Sequence, residues 1–133
     1  MLEQDYNHIT YKIINCAIEV HRQLGPGLME SVYEKCMFQE LMLNSLHVER
    51  QKVLPVIYKG ERLDKDFIID QIVEDEIILE LKSVEGILPV HEAQLVTYLK
   101  LANKKLGLLI NFNVPVLKDG IRRKINGKFN YKQ

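Results

Sequence analysis

No stretch of this sequence approaches the roughly 18 consecutive apolar residues that a membrane-spanning helix requires, and its opening, Met-Leu-Glu-Gln-Asp, lacks the basic start of a secretory signal. A cytoplasmic location is the expectation. Cysteine is scarce: Cys16 and Cys36 have no CxxC partner and fall on apolar helical faces, which predicts buried free thiols rather than a disulfide or a metal site. The four histidines make no metal-ligand spacing, for His91-Glu92 begins like HExxH but position 95 is Leu. Neither GxGxxG nor GxxxxGK is present, so Gly25-Pro26-Gly27 reads as a helix-stopping turn and not as a phosphate loop. Repeats, low-complexity segments and linkers are absent as well. So is a net charge, with 18 Lys and Arg against 18 Asp and Glu.

That neutrality hides an uneven distribution. Residues 118 to 133 carry Lys118, Arg122, Arg123, Lys124, Lys128 and Lys132 against Asp119 alone, and the rest of the chain holds the balancing acid. A basic end with Phe129 and Tyr131 interleaved suits either a phosphate backbone or a solvated tail.

What is present predicts a globular protein. A chain of 133 residues, 47% apolar and 27% charged, is expected to form one domain that buries about two thirds of its unfolded surface. Ile9, Ile13, Cys16, Ala17, Val20 and Leu24 recur at steps of three and four, which predicts an amphipathic helix over about 6 to 24, with His21 at its boundary. A second helix is expected from Leu28 to about Asn44, with Val32, Cys36, Leu41 and Leu43 among its apolar positions. A strand follows over 48 to 58, where Pro55 argues for an edge or a bulge, and Lys59-Gly60 turns the chain. A third helix spans about 90 to 102 with Ala93, Val96, Leu99 and Leu95 inward. Lys105 to Phe112 reads as a strand buried on both sides, and Gly120 to Ile125 as a last extended piece. The order predicts an α/β sandwich around a mixed sheet.

The residues that need explaining lie between Phe67 and Lys82. Ile68, Ile69, Ile72 and Val73 predict one strand and Ile77 to Leu81 the next, with Glu74-Asp75-Glu76 as the loop between them. An ionised carboxylate inside such runs costs several kcal/mol unless it is paired or binds a cation. Alternation puts Glu80 and Lys82 on one face, and a three-residue loop sets Asp70 opposite Glu80. Two carboxylates side by side repel unless a divalent cation neutralises them, and oxygen ligands favour magnesium or manganese. A surface salt bridge from either acid to Lys82 accounts for the same residues. Glu30 shares a helix face with Tyr33 and also suits a helix N-terminus, whereas Gln94 and Tyr98 share a face one turn apart.

Gly27-Leu-Met-Glu30-Ser-Val-Tyr33 is similar to the signature of the GxxExxY protein family. The similarity continues through Glu80-Leu-Lys82-Ser-Val-Glu85, His91-Glu-Ala-Gln94-Leu-Val-Thr-Tyr98-Leu-Lys100 and Gly107-Leu-Leu-Ile-Asn-Phe-Asn113. That family is assigned to the PD-(D/E)XK nuclease-like superfamily, and the resemblance implies a restriction-endonuclease-like core, a central mixed sheet flanked by helices. It implies Asp70 and Glu80 as metal ligands for Mg2+ or Mn2+, Lys82 as the catalytic lysine, and Glu30 as a helix-borne acid for the metal's outer waters or a second ion. Gln94 and Tyr98 resemble the QxxxY element near the active site. Ile69 departs from the superfamily's Pro.

The function this implies is a metal-dependent nuclease acting on DNA or RNA, with a homodimer or partner protein to help a chain this small grip a duplex. A non-catalytic adaptor that keeps the fold to bind nucleic acid or protein fits the neutral charge, and a hydrolase of small phosphorylated metabolites is a third reading.

Overall fold

The computed structural model describes residues 1–129, so Tyr131 and Lys132 of the basic end lie outside the described residues. The chain runs α1 (Glu3–Leu24), α2 (Glu30–Leu43), β1 (Val48–Tyr58), β2 (Glu61–Val73), β3 (Ile77–Lys82), α3 (Pro89–Ala102), β4 (Leu106–Asn111), a 3-10 turn (Leu117–Gly120) and β5 (Ile121–Ile125). The five strands lie in sequence order across one sheet. All neighbours are antiparallel except β3 and β4, which run parallel and are joined by α3, the connection that parallel strands require. This is the α/β sandwich with a mixed sheet that the element order predicts.

Two cores follow from the alternation of side chains along the strands. Ile77, Leu79 and Leu81 of β3 and Leu106, Leu108 and Ile110 of β4 pack with Ile13, Ala17, Tyr33, Met37 and Leu41 of α1 and α2. On the other face Ile72, Ile78 and Leu109 pack with Leu95, Tyr98 and Leu99 of α3. β4 is buried on both sides, as its unbroken apolar run requires. Gly107 is what lets α3 lie low on the sheet, since a Cβ there would stand 2.7 Å from Leu95 Cδ1.

Several expected details are corrected. The inward stripe of α3 is Leu95, Tyr98 and Leu99, with Ala93 exposed and Val96 half-buried. Tyr98, a residue with a polar tip, completes the helical period that Ala93 does not. In α2 the buried residues are Tyr33, Glu34, Met37 and Leu41, while Val32 and Leu43 are exposed and Cys36 is half-buried. An ion pair described below allows Glu34 to take a core position. β2 begins at Glu61 and not near Phe67, because Lys59 (φ 50°) and Gly60 (φ 83°) form a tight turn that pairs Tyr58 with Glu61. Neither face of that stretch is covered, so its sequence shows no alternation to read.

β1 is an edge strand with a register slip between Pro55 and Ile57, as the proline predicts. The basic end is part of the fold as far as it is described. Lys124 of β5 pairs with Glu92 of α3 at 2.6 Å, Arg123 donates to Asn7 Oδ1, and Phe129 is buried with its ring 5.4 Å from that of Tyr6. No helix of the described residues is long and apolar enough to cross a membrane.

Candidate active site

β2 and β3 pair only over Gln71–Leu79, Ile72–Ile78 and Val73–Ile77, closed by the three-residue loop Glu74-Asp75-Glu76. The next position sets Asp70 against Glu80, the register that the loop length predicts. There the ladder stops and the strands fork. Glu80 Oε2 accepts the Asp70 N–H at 2.9 Å, and Asp70 Oδ2 accepts the Leu81 N–H at 2.8 Å. Each carboxylate thus takes a main-chain donor that would otherwise have bonded a carbonyl across the ladder.

The backbone changes phase at the same place. Ile69 and Ile72, three apart, both join the core under α3, whereas strict alternation would separate them. Gln71 between them turns toward α2 and bonds Glu34. On the facing strand Arg50 pairs with Gln71 and Lys52 with Ile69, which leaves Gln51 beside Asp70 with φ at 50° inside a strand. A non-glycine residue in that region is strained. The paired irregularity leaves Arg50, Gln51, Asp70 and Gln71 all beside α2.

Glu30 opens α2, and its position has a local cause. The Tyr33 hydroxyl donates to the Gly25 carbonyl at 2.6 Å and accepts the Leu28 N–H, while its ring stacks on Phe112 at 4.4 Å. Gly27, at φ 91°, allows the turn those bonds close. The turn delivers Glu30 to β3, where its Oε2 accepts the Ser83 N–H at 3.2 Å and the Ser83 hydroxyl donates to the Leu28 carbonyl at 2.6 Å. Asn111 holds the same loop from the other side, exchanging two hydrogen bonds with the Val84 main chain.

Burial dominates the electrostatics. The Glu80 carboxyl is pushed up to about 8, first by burial and then by the charge of Asp70, with Lys82 acting in the opposite sense. The Asp70 carboxyl is also raised, burial again being the largest cause. Tyr98, in the core under α3 with its ring 5.6 Å from Phe67, has its hydroxyl raised by burial and then by Glu80 and Asp70. Lys82 is half-buried at the end of β3, and its carbonyl accepts the Phe112 N–H at 2.9 Å. A surface salt bridge between Lys82 and either acid does not form, since neither carboxylate has an ion pair among the described residues. Gln94 is exposed one turn before Tyr98 and makes no side-chain hydrogen bond within the described residues.

The sequence reading missed Glu34, Arg50 and Gln71. Arg50 clasps Glu34 through two bonds of 2.8 and 2.5 Å, and Gln71 Nε2 donates to the Glu34 carbonyl and to Oε2. The Arg50 hydrogen bonds hold the Glu34 carboxyl below its ordinary value. Gln71 Oε1 is buried without a partner. The one signal in the sequence is that Glu34 stands four residues after Glu30, on the same helix face.

A cleft of about 320 Å³ opens here, lined by Glu30, Glu34, Lys35, Arg50, Gln51 and Asp70 among others. A cleft of similar size at the opposite end of β3, between Asp75, Glu76 and Lys104, is occupied by its own ion pair and holds none of these residues. The donor set fits a hard divalent cation in part. Asp70 and Glu80 bring together a half-buried and a buried carboxylate, and Glu80 is raised by its burial first and by the charge of Asp70 second. No third His, Cys, Asp or Glu converges on them among the described residues, so water and main-chain oxygens would complete such a shell.

The fold and these groups define an α/β protein with an acid pair at a strand fork and a lysine two residues on. The chain belongs to the PD-(D/E)XK nuclease superfamily, whose family model matches residues 7–124. Nucleases of this superfamily generally use divalent metal ions. Neither the curated proteins nor the solved structures provide a match.

Proposed function

We propose that this chain is a metal-dependent nuclease that hydrolyses phosphodiester bonds in DNA or RNA. The observation that carries the reading is the fork, where Asp70 and Glu80 are each bonded to the other's strand beside Lys82 and make no ion pair among the described residues. In this reading Asp70 and Glu80 hold Mg2+ or Mn2+, and Glu30, fixed by Ser83, orders the outer waters or a second ion. Such an ion supplies Lewis acidity, polarising a phosphate oxygen and lowering the pKa of a bound water.

The chain's own groups do the rest. Lys82 is a point charge for the negative charge that develops on the phosphoryl oxygens. Tyr98, buried against Phe67 and within reach of the charges of Glu80 and Asp70, serves to fix Lys82. Gln94, exposed on the same helix, contacts substrate phosphate. We also infer a cytoplasmic protein that works as a homodimer or with a partner protein, since one small chain grips little of a duplex. The similarity to the GxxExxY family supports the same assignment of residues.

The test is cleavage of plasmid, single-stranded DNA and RNA with Mg2+ or Mn2+. Wild type is expected to cleave at least one of them, and Lys82→Ala to lose about a hundredfold or more of the rate. Absence of cleavage with every substrate and both ions would overturn the reading. The neutral net charge favours a second reading, a nucleic-acid or protein adaptor without turnover. Nucleic-acid binding that weakens steeply with salt, without cleavage, would establish the nucleic-acid form of it.

A further inference from the structure

The cleft beside Asp70 is lined by two kinds of polar side chain, and of the proposed hydrolytic groups only Glu30 and Asp70 are among them. Glu30, Glu34 and Asp70 are its acids. Its donors besides Arg50 are Ser31 and Lys35, one turn apart on α2, and Gln51 of β1. All three are exposed, and none makes a side-chain hydrogen bond or ion pair within the described residues.

Charge bookkeeping isolates Lys35. Four carboxylates, Glu30, Glu34, Asp70 and Glu80, gather around this end of the sheet against the cations Lys35, Arg50 and Lys82. Arg50 is spent on Glu34, clasping it bidentately with its guanidinium 4.4 Å from the Phe38 ring. Lys82 ends β3 beside the acid pair. Lys35 is therefore the cation of this cleft that makes no ion pair among the described residues; its charge acts on the neighbouring Glu34, whose carboxylate Arg50 already holds.

Gln51 adds a second, independent observation. Its φ of 50° inside β1 costs conformational energy with no turn to require it, and the break in phase that accompanies it leaves the residue in the cleft and not under α3. One cleft thus holds an ammonium, a hydroxyl and a carboxamide that no protein group engages among the described residues. That is the chemistry that takes phosphate oxygens.

We infer that Ser31, Lys35 and Gln51 form a subsite for the phosphodiester next to the one being cut, so that the nucleic-acid strand leaves the acid pair along α2. This rests on the nuclease reading for the identity of the strand but not for the existence of the subsite. Lys35 and Gln51 contact the substrate and take no part in the hydrolytic step.

The experiment measures binding and cleavage separately. Binding of a fluorescein-labelled DNA oligonucleotide, single-stranded and duplex, is followed across a salt series in EDTA, where turnover is suppressed. Lys35→Ala is expected to weaken binding several-fold and to lower the slope of log K against log salt by about one. Lys35→Arg restores the slope, Gln51→Ala weakens binding with the slope kept, and Lys12→Ala, on α1, is the control for loss of a surface charge. With Mg2+ or Mn2+ present, the Lys35→Ala defect falls on KM more than on kcat. These residues are exposed, so the thermal midpoint stays at the wild-type value.

If wild type cleaves and Lys35→Ala binds and cleaves as Lys12→Ala does, the subsite is wrong and the nuclease reading stands. If nothing is cleaved but Lys35→Ala still lowers the salt slope, the subsite stands and the nuclease reading falls. If wild type binds neither oligonucleotide, the subsite is overturned.

Discussion

Glu80 is the residue at which burial and chemistry conflict most openly. Its carboxyl ordinarily titrates near 4.5 and stands at about 8 in the fold, raised by burial and then by Asp70. Between those values the unfolded chain has released the proton that the native state retains, so the native state loses stability as pH rises through that window and the loss levels off above about 8. Asp70 acts in the same direction. In EDTA the thermal midpoint is expected to fall on going from mildly acidic to mildly alkaline pH, and Glu80→Gln to flatten that fall. A midpoint that rises over the window, or a slope that Glu80→Gln leaves untouched, would contradict the assignment. Mn2+ should recover the loss in wild type and not in Asp70→Asn, because cation binding favours the ionised pair. These residues were legible in the sequence because charges inside apolar runs demand a reason. Glu34 and Gln71 were not, since an acid in a helix or a glutamine at a strand end needs no explanation until burial is known.

At the scale of elements, the periodic segments could be read and the uncovered ones could not. α1, the buried strand β4 and the edge character of β1 follow from apolar period, an unbroken apolar run and Pro55, each of which reports its own surroundings. The inward face of α2 was hidden because Glu34 occupies a core position by virtue of Arg50, a partner sixteen residues away that no local pattern announces. Two glycines give an ordered prediction. A Cβ on Gly120 would lie 2.2 Å from the Asn111 carbonyl oxygen, which is main chain and cannot step aside, whereas a Cβ on Gly107 meets chiefly the end of the Leu95 side chain. Gly120→Ala is therefore expected to cost more than Gly107→Ala in chemical denaturation, about 3 kcal/mol against about 1. The reverse order would show that the turn after β4 is looser than its contacts imply. Asn111, which the Gly120 turn faces, also holds the Val84 loop, so damage at Gly120 should reach the candidate site as well as the fold.

For the molecule as a whole, the order of the elements announced the architecture, while the meaning of the basic end depended on tertiary packing. Phe129, read as an aromatic interleaved in a basic end for a phosphate backbone or a solvated tail, closes the core against Tyr6. The brevity of the β2–β3 ladder has a different consequence. Beyond its three pairs with β3, the hairpin of β1 and β2 still packs Leu54, Phe67 and Ile69 on the core under α3. Past Leu54 and Phe67 it is held by its own two strands and leaves Ile57, Tyr58 and Leu63 exposed, so that its far end is a cantilever able to open without disturbing either core. In deuterium exchange the amides of residues 55 to 66 are expected to exchange well ahead of those of β3 and β4, with the boundary where Leu54 and Phe67 meet the core under α3. Equal protection on both sides would mean that the arm is braced. Whatever grasps the tip of such an arm pulls first on the ring contact between Phe67 and Tyr98, the hinge pin that stands between it and Asp70.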